Sequence, residues 1–255
     1  MASVRIAPYR EFEPIAFSST ARVFVLTGAG VSAESGFSTF RDSGGLWEKH
    51  RIEDVATPEG WSRDRALVWQ FYAGLRAQAA TAKPNAAHHA LAALEDEIGD
   101  RFFLCTQNVD DLHEKAGSIR IVHMHGELMK SRCERWPGCK QGPFPDTSLT
   151  TSIPSCPCGG YVRPHIVWFG EVPIELDRIG DELGACDFFV TIGSSGSVYP
   201  AAGFVSVVRA RRHRGGARPI AVYVGPEAPD NAESFDECRL GNAGEAVPTL
   251  FAAIR

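Results

Sequence analysis

Five short runs of apolar residues divide the chain, and each has the length and composition of a buried β-strand. They cover residues 22–27, 101–106, 119–125, 187–194 and 219–225. Because β-branched and aromatic residues dominate these runs, they are typical of strands covered on both faces of a parallel sheet. Apolar residues recur at roughly every 3.6 positions over 61–80 and 85–98, which predicts two amphipathic helices. Residues 8–16 are also predicted to be helical, and residues 34–60 to form a long loop.

The alternation of strands and helices predicts an α/β fold, a Rossmann-type parallel sheet with helices on both faces. Cysteines, prolines and polar residues interrupt this alternation at 127–163. We therefore expect a Rossmann-type domain built from residues 1–33, 84–126 and 164–255. A small lobe would combine a helical insertion, residues 34–83, with a cysteine-rich, zinc-ribbon-like module, residues 127–163.

Composition argues against two classes of partner. The 255 residues carry a formal net charge of −5, which does not favour attraction to nucleic acid or to an anionic membrane surface. No apolar run approaches the roughly 18–20 residues needed to span a bilayer, and no signal peptide is recognisable.

Seven cysteines in such a chain indicate a reducing compartment, so we expect a cytoplasmic location. The basic cluster at 209–214 is predicted to end a helix.

A glycine-rich loop follows the first predicted strand. Residues 28–33, GAGVSA, satisfy the pattern G-x-G-x-x-A. Glycine at these positions lets the backbone turn sharply and approach a pyrophosphate, whose charge the N-terminus of the next helix would meet. The loop therefore predicts a dinucleotide site, although many glycine loops after strands bind no ligand.

Polar side chains follow the other predicted strands, at the edge where open α/β sheets bind their ligands. They are amides, a carboxylate, imidazoles and hydroxyls: Gln107, Asn108, Asp110, His113, His123, His125, Ser194 and Ser195. A single histidine is more often a core residue than a catalytic one. His125, however, stands at the end of a predicted strand and directly before Gly126. The cluster as a whole predicts a functional site.

Five motifs, in this order along the chain, resemble those of the sirtuin family, the NAD-dependent protein-lysine deacylases. They are GAGVSAESGFSTFR (28–41), TQNVDDLHEKAG (106–117), HMHGEL (123–128), RPHIVWFGE (163–171) and GSSGSVYPAAGFV (193–205). GGLWEKH at 44–50 and the helix around residues 70–72 are most similar to the bacterial branch that includes desuccinylating members. Because the motifs span most of the chain, the resemblance is specific.

The resemblance implies a reaction in which the bond between nicotinamide and ribose of NAD is cleaved. The acyl oxygen of an acyl-lysine would capture the anomeric carbon, giving an alkylimidate and free nicotinamide. His125 would act as general base on a ribose hydroxyl, with Asn108 beside it, and the products would be free lysine and an O-acyl-ADP-ribose. Imidazole suits this task because its unperturbed pKa lies near 6.5.

The same motifs imply which residues contact the two substrates. Gln107 and Asn108 would bond the ribose, and Asp110 would accept a hydrogen bond from the nicotinamide carboxamide. The implied NAD-binding residues are Gly28, Ala29, Gly30, Ser32, Glu34, Phe40, Arg41, Trp47, Gln107, Asn108, Asp110, Gly193, Ser194, Ser195 and Ala243. His113 and His123 are interpreted as structural.

An acyl-lysine peptide would insert as a strand between residues 165–170 and 196–200. The implied peptide- and acyl-binding residues are Tyr72, Leu75, Val167, Trp168, Phe169, Gly170, Gly196 and Val198. For Trp168 and Phe169, a place in the core stays open as the alternative.

Four cysteines flank the inserted module as the zinc ligands do in this family: Cys133, Cys139, Cys156 and Cys158. The resemblance thus implies a structural zinc ion, which would give a short segment without a core its fold. The spacings C-x5-C and C-x-C depart from the more regular C-x2–4-C. The remaining cysteines, Cys105, Cys186 and Cys238, are predicted to be buried apolar residues.

One departure from the family pattern bears on the acyl group. The desuccinylating branch has a Tyr-x-x-Arg pair that binds an acidic acyl group, whereas here Leu75 stands three residues after Tyr72 and Arg76 follows it. One helical residue is about 100° of rotation, so Arg76 would point away. We therefore expect acetyl or longer apolar acyl groups to be preferred to succinyl. Residues 37–38 also depart from the pattern, which bears on how the cofactor loop closes. Residues 224–227 depart from it as well, which leaves the adenine contacts open.

Two other functions remain open. The same cleavage of NAD without an acyl acceptor would give an ADP-ribosyltransferase or an NAD hydrolase. A non-catalytic module that binds NAD or peptide would have no activity to lose on the substitution His125→Ala. A dehydrogenase is disfavoured, because no acidic residue ends a second strand about 20 residues after the glycine loop.

Overall fold

Strands and helices alternate through most of the chain, as the apolar pattern predicts. Within residues 4–16, 18–37, 50–211 and 218–251, which the computed structural model describes, there are ten strands and eight α-helices. The strands are β1 Arg5–Pro8, β2 Val23–Thr27, β3 Phe102–Thr106, β4 Ile121–His123, β5 Gly126–Cys133, β6 Phe144–Pro145, β7 Val162–Ile166, β8 Phe188–Ile192, β9 Ile220–Gly225 and β10 Glu237–Leu240. The helices are α1 Ile52–Val55, α2 Pro58–Arg63, α3 Arg65–Thr81, α4 Ala86–Ile98, α5 Leu112–Ala116, α6 Leu176–Ala185, α7 Phe204–Arg209 and α8 Ala243–Ala246.

Seven strands form one parallel sheet in the order β1-β10-β9-β8-β2-β3-β4. From β2 the chain continues to β3 on one side, and β8 lies on the other side. The carboxyl ends of β2, β3 and β8 therefore surround the point where the strand order reverses, which is where such sheets bind ligands. The predicted Rossmann-type fold is confirmed.

Helices cover both faces of the sheet, because side chains alternate along each strand. Val23 and Val25 of β2 belong to a core shared with α4 and α8, whereas Phe24 and Leu26 belong to a second core shared with α6 and α7. Asn85 caps α4 by accepting a hydrogen bond from the backbone of Ala87 at 2.9 Å. Within the described ranges, no helix is both long and apolar enough to cross a membrane.

A second sheet of three antiparallel strands, β6-β5-β7, packs against helices α1–α3. Their shared core is rich in aromatic side chains, including Trp61, Trp69, Phe71, Tyr72 and Trp168. The helical insertion and the cysteine-rich segment thus contribute to one core. The boundaries predicted for the two domains stay a prediction.

Three local predictions are wrong. Residues 8–16 are not a helix: β1 ends at Pro8 and a single 3-10 turn, Tyr9–Glu11, follows, because the preceding residues pair with β10 at the sheet edge. The predicted loop at 34–60 contains α1 and the start of α2, which begins where Thr57 accepts a hydrogen bond from Gly60 N at 2.9 Å. The third predicted strand ends at His123, because Gly126, with φ of +85°, redirects the chain into β5.

Candidate active site

Backbone packing fixes the glycine loop at the carboxyl end of β2. The Gly30 N–H donates to the carbonyl oxygen of Gly193 at 2.9 Å, and Gly193 has a φ of +63°. A Cβ on Gly28 would lie 2.8 Å from the Gly193 oxygen, and one on Gly30 would lie 2.7 Å from the Gly193 Cα. Glycine is therefore required by the contact between two chain segments. Two 3-10 turns, Ala29–Val31 and Ala33–Ser35, replace the helix expected after the loop.

A chain of hydrogen bonds joins the glycine loop to the loop after β3. The Asn108 Nδ2 donates to Ser32 Oγ at 3.0 Å, and this hydroxyl donates to Asp110 Oδ2 at 3.0 Å. The Gln107 Nε2 donates to Ser194 Oγ at 2.9 Å. Predicted site residues from three strand ends thus form one polar cluster.

Asp110 is the buried carboxyl group of this cluster, with 2% of its surface exposed. Burial raises the pKa of this carboxyl above its ordinary value, although hydrogen bonds from the Leu112 backbone and from Ser32 oppose the shift. The Leu112 backbone N–H donates a hydrogen bond to Asp110 Oδ1 at 3.1 Å. A buried oxygen acceptor of this kind suits the NH₂ donor of an amide.

His125 lies two residues beyond β4, and the loop that carries Asn108 holds its ring. The Nδ1–H donates to the Gln107 carbonyl oxygen at 3.0 Å, so that Nε2 carries the lone pair of the neutral ring. Burial lowers the pKa of His125 below 6.5, with the Gln107 hydrogen bond opposing. The ring is therefore neutral at pH 7, in a tautomer that can accept a proton at Nε2.

The segment after β7 is held beside His125 by its backbone. The Val167 N–H donates to the His125 carbonyl oxygen at 2.8 Å, and the Phe169 N–H donates to that of Ala56 at 3.0 Å. The side chains of Phe169 and Val198 are exposed. Gly170, with φ of +90°, ends the segment in a turn.

Aromatic side chains of α3 and of this segment meet in the second-sheet core. The Trp168 Nε1 donates to Tyr72 Oη at 3.0 Å, and the two rings lie 6.5 Å apart. Leu75, one helical turn after Tyr72, is buried in the same core. The Arg163 guanidinium lies 3.2 Å from the Trp168 ring centroid, and Glu171 accepts hydrogen bonds from both residues. Trp168 is thus buried in this core, and its contact with the acyl group stays a prediction.

Arg76 is directed to the second sheet instead of to Trp168. Its Nε donates to the Leu128 carbonyl oxygen at 2.8 Å, and its Nη2 donates to Ser131 Oγ at 2.8 Å. Its Nη1 lies 3.1 Å from Asp146 Oδ2. The charge of the guanidinium is therefore compensated by Asp146, which directly follows β6.

The four cysteines of the inserted module converge. The Sγ atoms of Cys133 and Cys158 lie 3.5 Å apart, those of Cys139 and Cys156 lie 3.7 Å apart, and all four fall within 4.8 Å of one another. These distances exceed a disulfide bond of about 2.05 Å. They match the edge, about 3.8 Å, of a tetrahedron of thiolates about 2.3 Å from zinc. The donor set fits zinc, and the irregular spacing does not prevent convergence.

Comparison with known proteins gives the family. Residues 28–200 match the sequence model of the Sir2 family. The chain belongs to the Sir2 family. It is 53% identical over 235 residues to an NAD-dependent protein deacylase of Caulobacter vibrioides, a match that covers 89% of this chain and 94% of the relative. An NAD-dependent protein deacylase of Shewanella oneidensis is 50% identical over 232 residues, covering 89% of this chain and 92% of that protein.

A solved Sir2 homologue in complex with NAD superimposes with a TM-score of 0.80 at 38% identity. The match covers 91% of this chain and 89% of that one. The resemblance to sirtuins is therefore confirmed at the level of both sequence and fold.

Most residues predicted to bind NAD in this Sir2-family chain lie along one sheet edge. Beyond the cluster around Ser32, Glu34 Oε2 accepts a hydrogen bond from Gly244 N at 2.6 Å, which brings it beside Ala243. Phe40, Arg41 and Trp47 lie outside the described residues, as does most of the motif at 44–50.

Sequence analysis missed two threonines beneath the Sir2-family site. The Thr27 Oγ1 donates to Thr106 Oγ1 at 2.8 Å and lies 3.0 Å from His113 Nε2. The Thr106 Oγ1 in turn accepts a hydrogen bond from Asn108 N at 3.0 Å. The sequence does contain an indication of this pair, because two predicted apolar strands each end in threonine. A buried hydroxyl group needs a hydrogen-bond partner.

Proposed function

We propose that this chain removes acyl groups from protein lysines, with NAD as the co-substrate that accepts the acyl group and releases nicotinamide. The observation that carries the proposal is the neutral His125 beside the hydrogen-bond chain of Asn108, Ser32 and Asp110. Membership of the Sir2 family and the names of the bacterial relatives support it. The partners are proteins or peptides that carry acyl-lysine.

Each residue of the cluster has a distinct task in this proposal. Gln107 and Asn108 hold the ribose, and Asp110 accepts a hydrogen bond from the carboxamide of nicotinamide. The Nε2 of His125 takes a proton from a ribose hydroxyl, which burial favours by keeping the ring neutral. NAD supplies the activated glycosidic bond.

Residues outside the described ranges complete the proposed NAD site. Phe40 would shield the reactive ribose face from water, and Arg41 would lie near the phosphates. Trp47 is the third NAD-binding residue proposed in this segment.

The reaction class is tested by mass spectrometry of the products formed from NAD and a panel of acyl-lysine peptides. We expect O-acyl-ADP-ribose and nicotinamide, and we expect His125→Ala to abolish both. ADP-ribosylated protein would instead indicate a transferase, and free ADP-ribose alone would indicate an NAD hydrolase. Binding of NAD without any product would indicate a non-catalytic module.

We also propose that the acyl site prefers acetyl or longer apolar groups to succinyl. Two observations support this. Leu75 is buried in an apolar core at the position of the arginine in the Tyr-x-x-Arg pair, and the Arg76 guanidinium pairs with Asp146. An unpaired carboxylate in such an apolar site would be strongly disfavoured.

Rates on acetyl- and succinyl-lysine versions of one peptide test the acyl preference. The wild type is expected to be faster on acetyl-lysine, and Leu75→Arg is expected to raise the succinyl rate relative to the acetyl rate. Gln70→Arg adds the same charge at an exposed position of α3 and should leave the ratio unchanged. A wild-type preference for succinyl would contradict this assignment.

The four-cysteine cluster holds a structural zinc ion in this proposal. With four protein thiolates, the ion has no open position and stabilises the module without taking part in the reaction. A cytoplasmic location is supported by the seven cysteines, none of which forms a disulfide bond. The expectation of no nucleic-acid partner depends on the net charge and stays a prediction.

A further inference from the structure

Two histidines, two positions apart, bind successive carbonyl groups of the loop that carries Asn108. His125 binds the Gln107 carbonyl, and the Nδ1 of His123 lies 3.0 Å from the Asn108 carbonyl oxygen. The Nε2 of His123 lies 2.7 Å from Glu114 Oε1, and only 8% of the residue is exposed. His123 therefore links helix α5 to the backbone of Asn108.

Both partners of His123 are hydrogen-bond acceptors. A carbonyl oxygen and an ionised carboxylate have no proton to donate, and a neutral imidazole has one N–H. The two contacts can be satisfied together only when both ring nitrogens carry a proton. The geometry therefore requires the imidazolium form of His123.

Opposite electrostatic environments surround the two histidines. Burial disfavours the charged form of His123, but the hydrogen bond and the charge of Glu114 outweigh it and raise the pKa above 6.5. His125 has no such carboxylate partner among the described residues, and burial lowers its pKa. His123 therefore keeps its proton to a higher pH than His125 does.

The other titratable groups near His123 do not remove its proton. Glu127 on β5 also raises the pKa of His123 and forms an ion pair with Lys130 at 2.7 Å. Although burial opposes it, the pKa of Glu114 is lowered by its bond to His123, so this carboxyl is ionised. Asp110 and His113 also lie within electrostatic reach of His123.

We propose that His123 is a positioning residue for deacylation: its imidazolium, paired with Glu114, holds the Asn108 carbonyl and thereby fixes the Asn108 side chain against Ser32. The inference rests on the proposed function, in which Asn108 binds ribose. Since the pKa of His123 is raised, the double contact is complete below pH 6.5 and is lost as the pH rises through the raised pKa. Activity should therefore depend on a neutral His125 on the acidic side and on a charged His123 on the alkaline side.

The pH profile of kcat/KM for NAD-dependent deacetylation, measured from about pH 5 to pH 10, tests this assignment. Glu114→Gln removes the negative charge without touching Asn108. It should move the alkaline limb to lower pH by about one unit and leave the acid limb in place. Asp96→Asn removes a carboxylate from an exposed position of α4 and should move neither limb.

A second variant keeps the test decisive if Glu114→Gln does not fold. His123→Asn retains a donor toward the Asn108 carbonyl but cannot titrate, so the alkaline limb should disappear. His123→Ala should lower kcat/KM at pH 7 by about tenfold, the order expected for loss of one charge-assisted hydrogen bond. A purely structural role would lower activity at every pH without moving either limb. Unmoved limbs in Glu114→Gln and His123→Asn would overturn the proposal.

Nitrogen-15 NMR of the histidine rings in the whole protein provides a readout that does not depend on activity. The His123 signal, assigned by its loss in His123→Asn, should show two protonated nitrogens at pH 6, and a neutral ring at that pH would overturn the proposal. If the wild type makes no O-acyl-ADP-ribose, the proposed function fails. The pH dependence of NAD affinity in Glu114→Gln then decides whether His123 positions Asn108.

Discussion

Replacement of Arg76 by methionine would remove the polar link between helix α3 and the second sheet. The Arg76 side chain is 1% exposed, and methionine preserves much of its apolar stem but not the guanidinium, whose carbon lies 5.3 Å from the Trp69 ring centroid. The variant therefore removes the hydrogen bonds, the ion pair and the ring contact of the guanidinium. These contacts reach the carbonyl oxygens of Leu128 and Lys130, the Ser131 hydroxyl and the Asp146 carboxylate.

The expected loss of stability depends on the hydrogen bonds that Asp146 keeps after the substitution. Removing one partner of a buried ion pair costs about 3–5 kcal/mol of the free energy of unfolding. The Asp146 side chain is 11% exposed and keeps hydrogen bonds from Ser131 and Ser148, which favours the lower value, about 3 kcal/mol. For a protein of this size, that cost corresponds to a melting temperature lower by about 6–12 °C.

Differential scanning fluorimetry and urea unfolding measure this loss, and the acetyl-to-succinyl rate ratio is measured on the same samples. Arg76→Met should lower the melting temperature and leave the ratio unchanged. Arg51→Met removes an arginine that is 79% exposed and paired at 3.4 Å, and should change stability by no more than about 1 kcal/mol. An unchanged melting temperature, or a selective loss of the succinyl rate, would refute the reasoning and place the guanidinium in the acyl site.

Three further changes have defined outcomes. Gly126→Ala should abolish deacetylation, since Gly126 has a φ of +85° and a Cβ would lie 2.9 Å from Ile166 Cα; an active variant would show that the turn is not needed. Treatment with a zinc chelator should release one zinc per chain and lower the melting temperature, and elemental analysis that finds no zinc would contradict the cysteine assignment. Asn85→Ala should lower the free energy of unfolding in urea by about 1–2 kcal/mol, because the side chain caps α4 and donates to Val31 O at 2.8 Å; unchanged stability would argue against the cap.

The polar cluster could be predicted from the sequence because the carboxyl ends of neighbouring parallel strands must share one edge. Gln107, Asn108 and Asp110 follow an apolar run directly, and Ser194 follows another, so their approach is a consequence of the strand order. For Trp168, contact with the acyl group and a place in the core are both predicted as alternatives, and its hydrogen bond to Tyr72 is not predicted. Nothing in a local pattern decides whether a tryptophan contacts a substrate or fills a core.

The last two strands on one side of the sheet, β1 and β10, and the partner of His123 could not be predicted in this way. β1 and β10 are four residues long and contain Arg5 and Arg239, so they lack the continuous apolar run that marks the central strands. Glu114 of α5 precedes His123 by nine positions and contacts it at the end of β4. Contacts of this kind depend on tertiary packing, about which the apolar periodicity of the sequence gives no information.

Because of the contact between the glycine loop and Gly193, the glycine signature alone does not show that a related sequence encodes an active enzyme. Side chains are excluded at Gly28 and Gly30 by the neighbouring main chain, before any nucleotide arrives. A paralogue that had abandoned turnover, but kept this sheet, would still be under selection to retain the G-x-G signature. The contact with Gly193 does not constrain the side chains at positions 125 and 108. His125 and Asn108 are therefore the positions that should distinguish active enzymes from inactive paralogues.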